Sequence, residues 1–125
     1  MAVVVDTSFL VDIAKGNDGA RDLADRFAAD HELLVIPTVV VAEYLAGCSD
    51  PQSDVDQLRG AGEVVELRTG DAREAAALAG RTLDEGTFPG WSDVLIGGVA
   101  ENRGGLPIVT GNAHHFPAQE TITYG

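Results

Sequence analysis

The stretch "VVVDTSFLVD", residues 3–12, decides how the chain is read. Its valines suit a strand buried on both faces, as in a parallel sheet. The run stops at a carboxylate, Asp6, followed at once by the hydroxyls of Thr7 and Ser8. Either hydroxyl can cap a helix over 9–15, ended by "KGN". Asp6 is then one of two things: a further capping residue, or a ligand set at the end of a strand.

Outward from that stretch, apolar runs alternate with helical patterns. Strands are expected at 2–6, 33–37, 63–67 and 106–110, with an edge strand at 121–124. Ala20, Leu23, Ala24 and Phe27 recur at helical spacing, which predicts an amphipathic helix over 18–30. Thr38 opens a helix "TVVVAEYLAG" that Gly47 closes, and residues 50–62 form a polar helix. A long alanine-rich helix covers 69–86, and a further helix starts at Ser92 or Asp93 after the loop "FPGW". "GNAHHF" (111–116) reads as a loop or helical turn. The pattern implies α/β architecture: one domain over 1–125, three layers α/β/α, with a central, mostly parallel sheet of four to five strands. In such sheets ligands gather beyond the carboxyl ends of the strands, where strand order reverses.

Composition narrows the class. No apolar run approaches the ~20 residues of a membrane span. "MAVVVD" lacks a basic n-region and reads as the first strand rather than a signal peptide. The one cysteine, Cys48, cannot form an internal disulfide and reads as a small buried hydrophobe, which fits a reducing cytoplasm. Twenty Asp and Glu stand against 8 Lys and Arg, for a net charge of −12, and Lys15 is the only lysine. An acidic, lysine-poor surface repels phosphates at ordinary ionic strength, so either the partner is not nucleic acid or, the reading favoured by the scarcity of lysine, the protein works in high salt, where self-repulsion is screened.

Three carboxylates stand where ligands are expected. Asp6 ends the first strand, Glu43 interrupts an apolar helix whose neighbouring positions are Val39, Val40, Ala46 and Gly47, and Asp93 opens the helix after "FPGW". Glu43 on such a face calls for a partner, whereas Asp93 is equally suited to capping its helix. Brought together with few cations nearby, the three would repel one another unless a divalent cation joined them. Oxygen-only ligation favours Mg²⁺ or Mn²⁺ over Zn²⁺, and such ions typically meet substrate phosphates. The chemistry implied is metal-assisted phosphodiester hydrolysis.

These residues resemble the PIN-domain ribonucleases, in particular VapC-type toxins of prokaryotic toxin–antitoxin pairs. The matching pieces are "VVDTSFLVD", "IPTVVVAEYLAG", "SDVLIGGVAENRG" and "PIVTGNAHHF", in the family's order and over nearly the whole chain. The resemblance implies that Asp6, Glu43 and Asp93 hold Mg²⁺ or Mn²⁺ and that Ser8 and Thr110 stand beside the metal or the RNA substrate. It also implies a cognate antitoxin and a homodimer. The fourth acidic position of the family carries Asn112 here, which offers a carbonyl oxygen without charge. His115 is read as a packing or capping residue and Trp91 as a loop anchor. Gly97-Gly98 reads as a site of close helix packing, and Arg21, Arg73 and Arg81 as solvated cations.

Two rivals come from other classes. An aspartyl-nucleophile phosphatase wants a second acid two residues after the first, where this chain has Ser8. A receiver domain wants a lysine near its end, which is absent. A catalytically weak or inactive PIN-like binding module is the remaining alternative, with Asn112 as its support. The acidic surface generates a first expectation. Raising KCl from about 0.1 M, where the Debye length is about 10 Å, to about 2 M should raise the thermal midpoint of unfolding. A midpoint indifferent to KCl would remove the high-salt reading.

Overall fold

The computed structural model describes residues 1–47 and 50–125, with Pro51 described by its backbone alone; Cys48, read above as buried, lies outside the described residues. The chain runs β1 (Ala2–Val5), α1 (Thr7–Ala14), α2 (Asp18–Ala29), β2 (Leu33–Pro37), α3 (Thr38–Leu45), α4 (Pro51–Ala61) and β3 (Glu63–Val65). It continues through α5 (Thr69–Glu85), α6 (Trp91–Glu101), β4 (Ile108–Val109), a 3₁₀ turn (Ala113–His115) and β5 (Thr121–Ile122). All five strands pair in parallel in the order β3-β2-β1-β4-β5. The winding reverses at β1, so right-handed crossovers put the β1–β2 and β2–β3 connections on one face and the β3–β4 connection on the other. The result is the three-layer α/β/α arrangement expected from the alternating pattern.

β1 is central because it can be covered from both sides. Val3, Val4 and Val5 are buried, and they pack with Val35 and Ile36 of β2 and with Ile108 and Val109 of β4. Phe9 and Phe27 close one layer, meeting edge to face at 6.3 Å between ring centroids. On the other face α6 lies close against α5. A Cβ on Gly98 would collide with the Asp71 carbonyl oxygen, and one on Gly97 would meet Leu78 at 2.9 Å. This is the close approach read from the glycine pair.

The differences from the sequence reading are local and have physical causes. α1 begins at Thr7 because Asp6 itself is the N-cap, its Oδ1 accepting the Thr7 N–H at 2.8 Å. α6 begins at Trp91, after Gly90 at φ 116°, a conformation in which a side chain is strained. Asp93 therefore does not cap its helix but stands in the first turn. β4 shortens from 106–110 to Ile108–Val109 because Pro107 has no N–H to donate and contributes only its carbonyl, to Val4. Trp91, read as a loop anchor, opens α6; its ring meets Phe88 of the preceding loop at 5.6 Å between centroids and stays 60% exposed.

One acid that the sequence reading passed over joins α5 to α6. Asp71 is fully buried and accepts from the Arg68 N–H at 3.0 Å, Asn102 Nδ2 at 2.8 Å and Arg103 Nη1 at 3.1 Å. Burial pushes its carboxyl up, but the Arg68 N–H, Asn102 and the Arg103 charge outweigh burial and hold it below the usual carboxylate range. A depressed pKa contributes stability that is present above the ordinary value near 4 and lost as the pH falls below it. Asp71→Ala strands the Arg103 cation and should destabilise by about 3–5 kcal/mol in urea unfolding at pH 7. The gap to wild type should narrow below about pH 4, where the carboxyl of the unfolded wild-type chain begins to protonate ahead of that of the folded one.

Candidate active site

The carboxyl ends of β1, β2 and β4 and the first turn of α6 meet at one edge of the sheet, on either side of the point where strand order reverses. There they enclose a cleft of about 210 Å³. Asp6, Glu43, Asp93, Asn112 and His115 line it, together with the hydroxyl-bearing residues Thr7, Ser8 and Ser92. Liquid water occupies about 30 Å³ per molecule, so the cleft has room for a hydrated ion or a phosphate group. A larger apolar groove of about 620 Å³, between α1, α2 and α4, gathers no comparable set of acids.

Asp6 is buried, and its two oxygens are held differently. Oδ1 caps α1; Oδ2 accepts from Ser8 Oγ and from Thr110 Oγ1, each at 2.8 Å. The sequence reading assigned the capping to Thr7 or Ser8 and the ligand role to Asp6, whereas the one carboxylate caps the helix and also faces the cleft. Ser8 and Thr110 stand 3.2 Å apart behind it. Thr110 is fully buried and lies outside the cleft lining, so its hydroxyl acts on the site through Asp6.

Glu43 corrects a second expectation. It is exposed on the rim rather than buried in an apolar face. The apolar side of α3 that includes Val40 turns to the core, while Glu43 Oε1 accepts from Thr7 Oγ1 at 2.8 Å and Oε2 from Ser92 Oγ at 3.3 Å. Asp93, opposite, is half-buried, with Oδ2 3.3 Å from His115 Nδ1. Burial pushes the Asp93 carboxyl up; His115 opposes this, and the charges of Asp6 and Glu43 add to it, for a pKa of about 6. The imidazole of His115 thus lines the cleft instead of only packing or capping.

Asn112 also lines the cleft, placed by its own N–H donating to Thr110 Oγ1 at 2.9 Å. The structure therefore brings Asp6, Glu43, Asp93, Asn112 and Ser8 to one cleft and sets Thr110 behind it. Thr7, Ser92 and His115 were missed. Their signal was present as hydroxyls adjoining each acid and an imidazole three residues after Asn112, but spacing alone does not tell which carboxylate a hydroxyl will reach.

Among the described residues no Lys or Arg forms an ion pair with these three acids, and no three His, Cys, Asp or Glu side chains stand close enough together to close around one metal ion. The donor chemistry nevertheless suits a hard cation: carboxylate oxygens around a water-accessible cleft, with the Asp93 carboxyl pushed up first by burial and further by the Asp6 and Glu43 charges.

A family model described as the PIN domain matches residues 3–118. Similar solved structures include VapBC2 from Rickettsia felis bound to a promoter DNA fragment, with 20% identity, TM-score 0.82 and 100% of both chains covered. DNA-bound VapBC from Salmonella typhimurium matches with 22% identity and TM-score 0.80 over 98% of both chains. VapBC-1 from nontypeable Haemophilus influenzae matches with 15% identity and TM-score 0.81, again over 98% of both. At these identities the likeness is one of fold. A comparison with curated protein sequences finds no match. With the family model covering nearly its whole length, the chain belongs to the PIN domain family.

Proposed function

We propose that this chain is a metal-dependent endoribonuclease, the toxin half of a VapBC-type toxin–antitoxin pair. The observation that carries the reading is the gathering of Asp6, Glu43 and Asp93 around one cleft, without a Lys or Arg ion pair among the described residues, in a chain of this family. Asp6, Glu43 and Asp93 would hold Mg²⁺ or Mn²⁺, which when bound supplies Lewis acidity and an activated water for attack on a phosphodiester. The chain's own part is placement. Ser8 and Thr110 fix Asp6, and Thr7 and Ser92 fix Glu43, so these acids stay oriented although no Lys or Arg among the described residues pairs with them. Asn112 offers polar contact without adding charge. Ser8, on the cleft wall, stands beside the substrate, and Thr110 reaches it through Asp6.

The partner reading rests on relatives that are toxin–antitoxin complexes. An antitoxin would find apolar surface to cover in the groove between α1, α2 and α4. A homodimer and a cytoplasmic, high-salt setting belong to the same proposal. No helix among the described residues is long and apolar enough to cross a membrane. The second reading, a PIN-like binding module without activity, draws support from Asn112 and from the open spacing of the three acids.

Purified protein should cleave single-stranded or hairpin RNA with Mn²⁺ or Mg²⁺, cut matched DNA less, and stop in EDTA. Asp6→Asn and Asp93→Asn should each lose at least about 10²-fold in rate. Equal cleavage by wild type and both variants would sink the mechanism, and calorimetry that detects no metal binding would favour the binding module.

A stability measurement probes the same acids without activity. The raised pKa of Asp93 means that its ionised form destabilises the fold, from about pH 4 upward and fully above about pH 6. In EDTA at pH 7, Asp93→Asn should therefore melt a few degrees higher than wild type, on the order of 3–6 °C, with the difference vanishing near pH 4. Equal melting at pH 7 would contradict the electrostatic strain.

A further inference from the structure

Outside the cleft lining, one hydrogen-bonded pair reaches the residues that form the site. Tyr124, just beyond β5, donates its phenolic proton to Asp12 Oδ2 at 2.7 Å, and its ring packs on Phe9 at 5.4 Å between centroids. Asp12 lies on α1. β5 stops at Ile122, short of the expected 124, and Tyr124 is the residue that reaches back to α1. Burial, and then the Asp12 carboxylate, push the phenol well above its ordinary range, so Tyr124 remains a donor at working pH.

Both side chains press on Gly111. A Cβ built there would lie 2.9 Å from Tyr124 Oη and 3.1 Å from Asp12 Oδ2, so a side chain at this position would displace the hydrogen-bonded ends of the pair. On the Ser8 side, the Gly111 N–H donates to Ser8 Oγ at 3.0 Å, and Ser8 donates to Asp6. The backbone immediately after β4 is thus held between Ser8 and the Asp12–Tyr124 pair. The next residue is Asn112, and the turn that follows carries His115 to Asp93.

We propose that Asp12 and Tyr124 are positioning residues of the nuclease: their hydrogen bond sets the Gly111 backbone and, through it, the places of Asn112 and His115 opposite Asp6, Glu43 and Asp93. The proposal rests on the nuclease reading for its kinetic consequence but not for its structural one.

Tyr124→Phe keeps the ring against Phe9 and removes the hydroxyl; Asp12→Asn keeps the size and removes the charge. In RNA cleavage with Mn²⁺, each should lower kcat on the order of 10-fold with KM little changed, and the double variant should lose no more than the worse single. In metal-free protein, NMR should show the Asn112 amide and the His115 imidazole resonances moving in both variants, beyond any shift at Lys15 or Glu101. The resonance arm holds even if the wild type cuts no RNA, which separates failure of this proposal from failure of the nuclease reading. Unmoved Asn112 and His115 resonances overturn it. So does a lowered melting temperature in both variants with those resonances in place, which would make the pair a stability element alone.

Discussion

The site depends on how a buried carboxylate is satisfied by hydroxyl and amide donors, with no Lys or Arg among the described residues paired to it. Asp6 Oδ2 takes one hydroxyl from its own helix, Ser8, and one from the far side of the strand-order reversal, Thr110. Oδ1 takes the first amide of α1. Hydrogen bonds to an ionised acceptor are the stronger kind, and an unmet buried carboxylate is expensive, so these donors and the acid specify one another. The same contacts align β1 with β4: the Asp6 N–H donates to the Val109 carbonyl at 3.0 Å while the side chain reaches Thr110. Asp6 therefore ends a strand, starts a helix and joins two strands across the point where the fold opens a cleft.

Two acids in this chain show what pairing does. Asp71 is fully buried and is met by an amide, an Asn and an Arg; its carboxyl is held low and it joins two helices. Asp93 is less buried, yet its carboxyl is pushed up to about 6, because burial and the Asp6 and Glu43 charges outweigh His115. One acid is compensated within the fold; the other is left carrying strain that a bound cation would relieve. Local strain that structure elsewhere must offset is characteristic of sites arranged for binding. A surface already at a net charge of −12 adds to the unfavourable field around the cleft.

Much of this was legible in the residues. Valine runs without alternation mark strands covered on both faces, and their spacing against helical patterns led to the parallel sheet and to its carboxyl edge as the place to search. Asp6, Glu43, Asp93 and Asn112 each follow or face such an edge, so their meeting in one cleft followed from topology. Harder to read were the supports. Thr7 serves Glu43 rather than its neighbour Asp6, and Tyr124 serves Asp12, 112 residues away. Such partners follow from packing distances of a few ångströms, which no local pattern encodes.

What the sequence determined by itself was periodicity and local chemistry: which segments bury which faces, where strands stop, and which acids stand at those stops. These depend on neighbours within a few residues, and the backbone transmits them directly. Tertiary structure alone decided exposure and partnership. Glu43 emerged on the rim because the apolar side of α3 turned to the core, and the Thr7 hydroxyl went to Glu43 while Asp6 capped α1. His115 met Asp93 because the backbone after Thr110 passes between Ser8 and the Asp12–Tyr124 pair. Each of these rests on contacts between distant segments, whose relative placement exists only once the sheet and its two helical layers have closed.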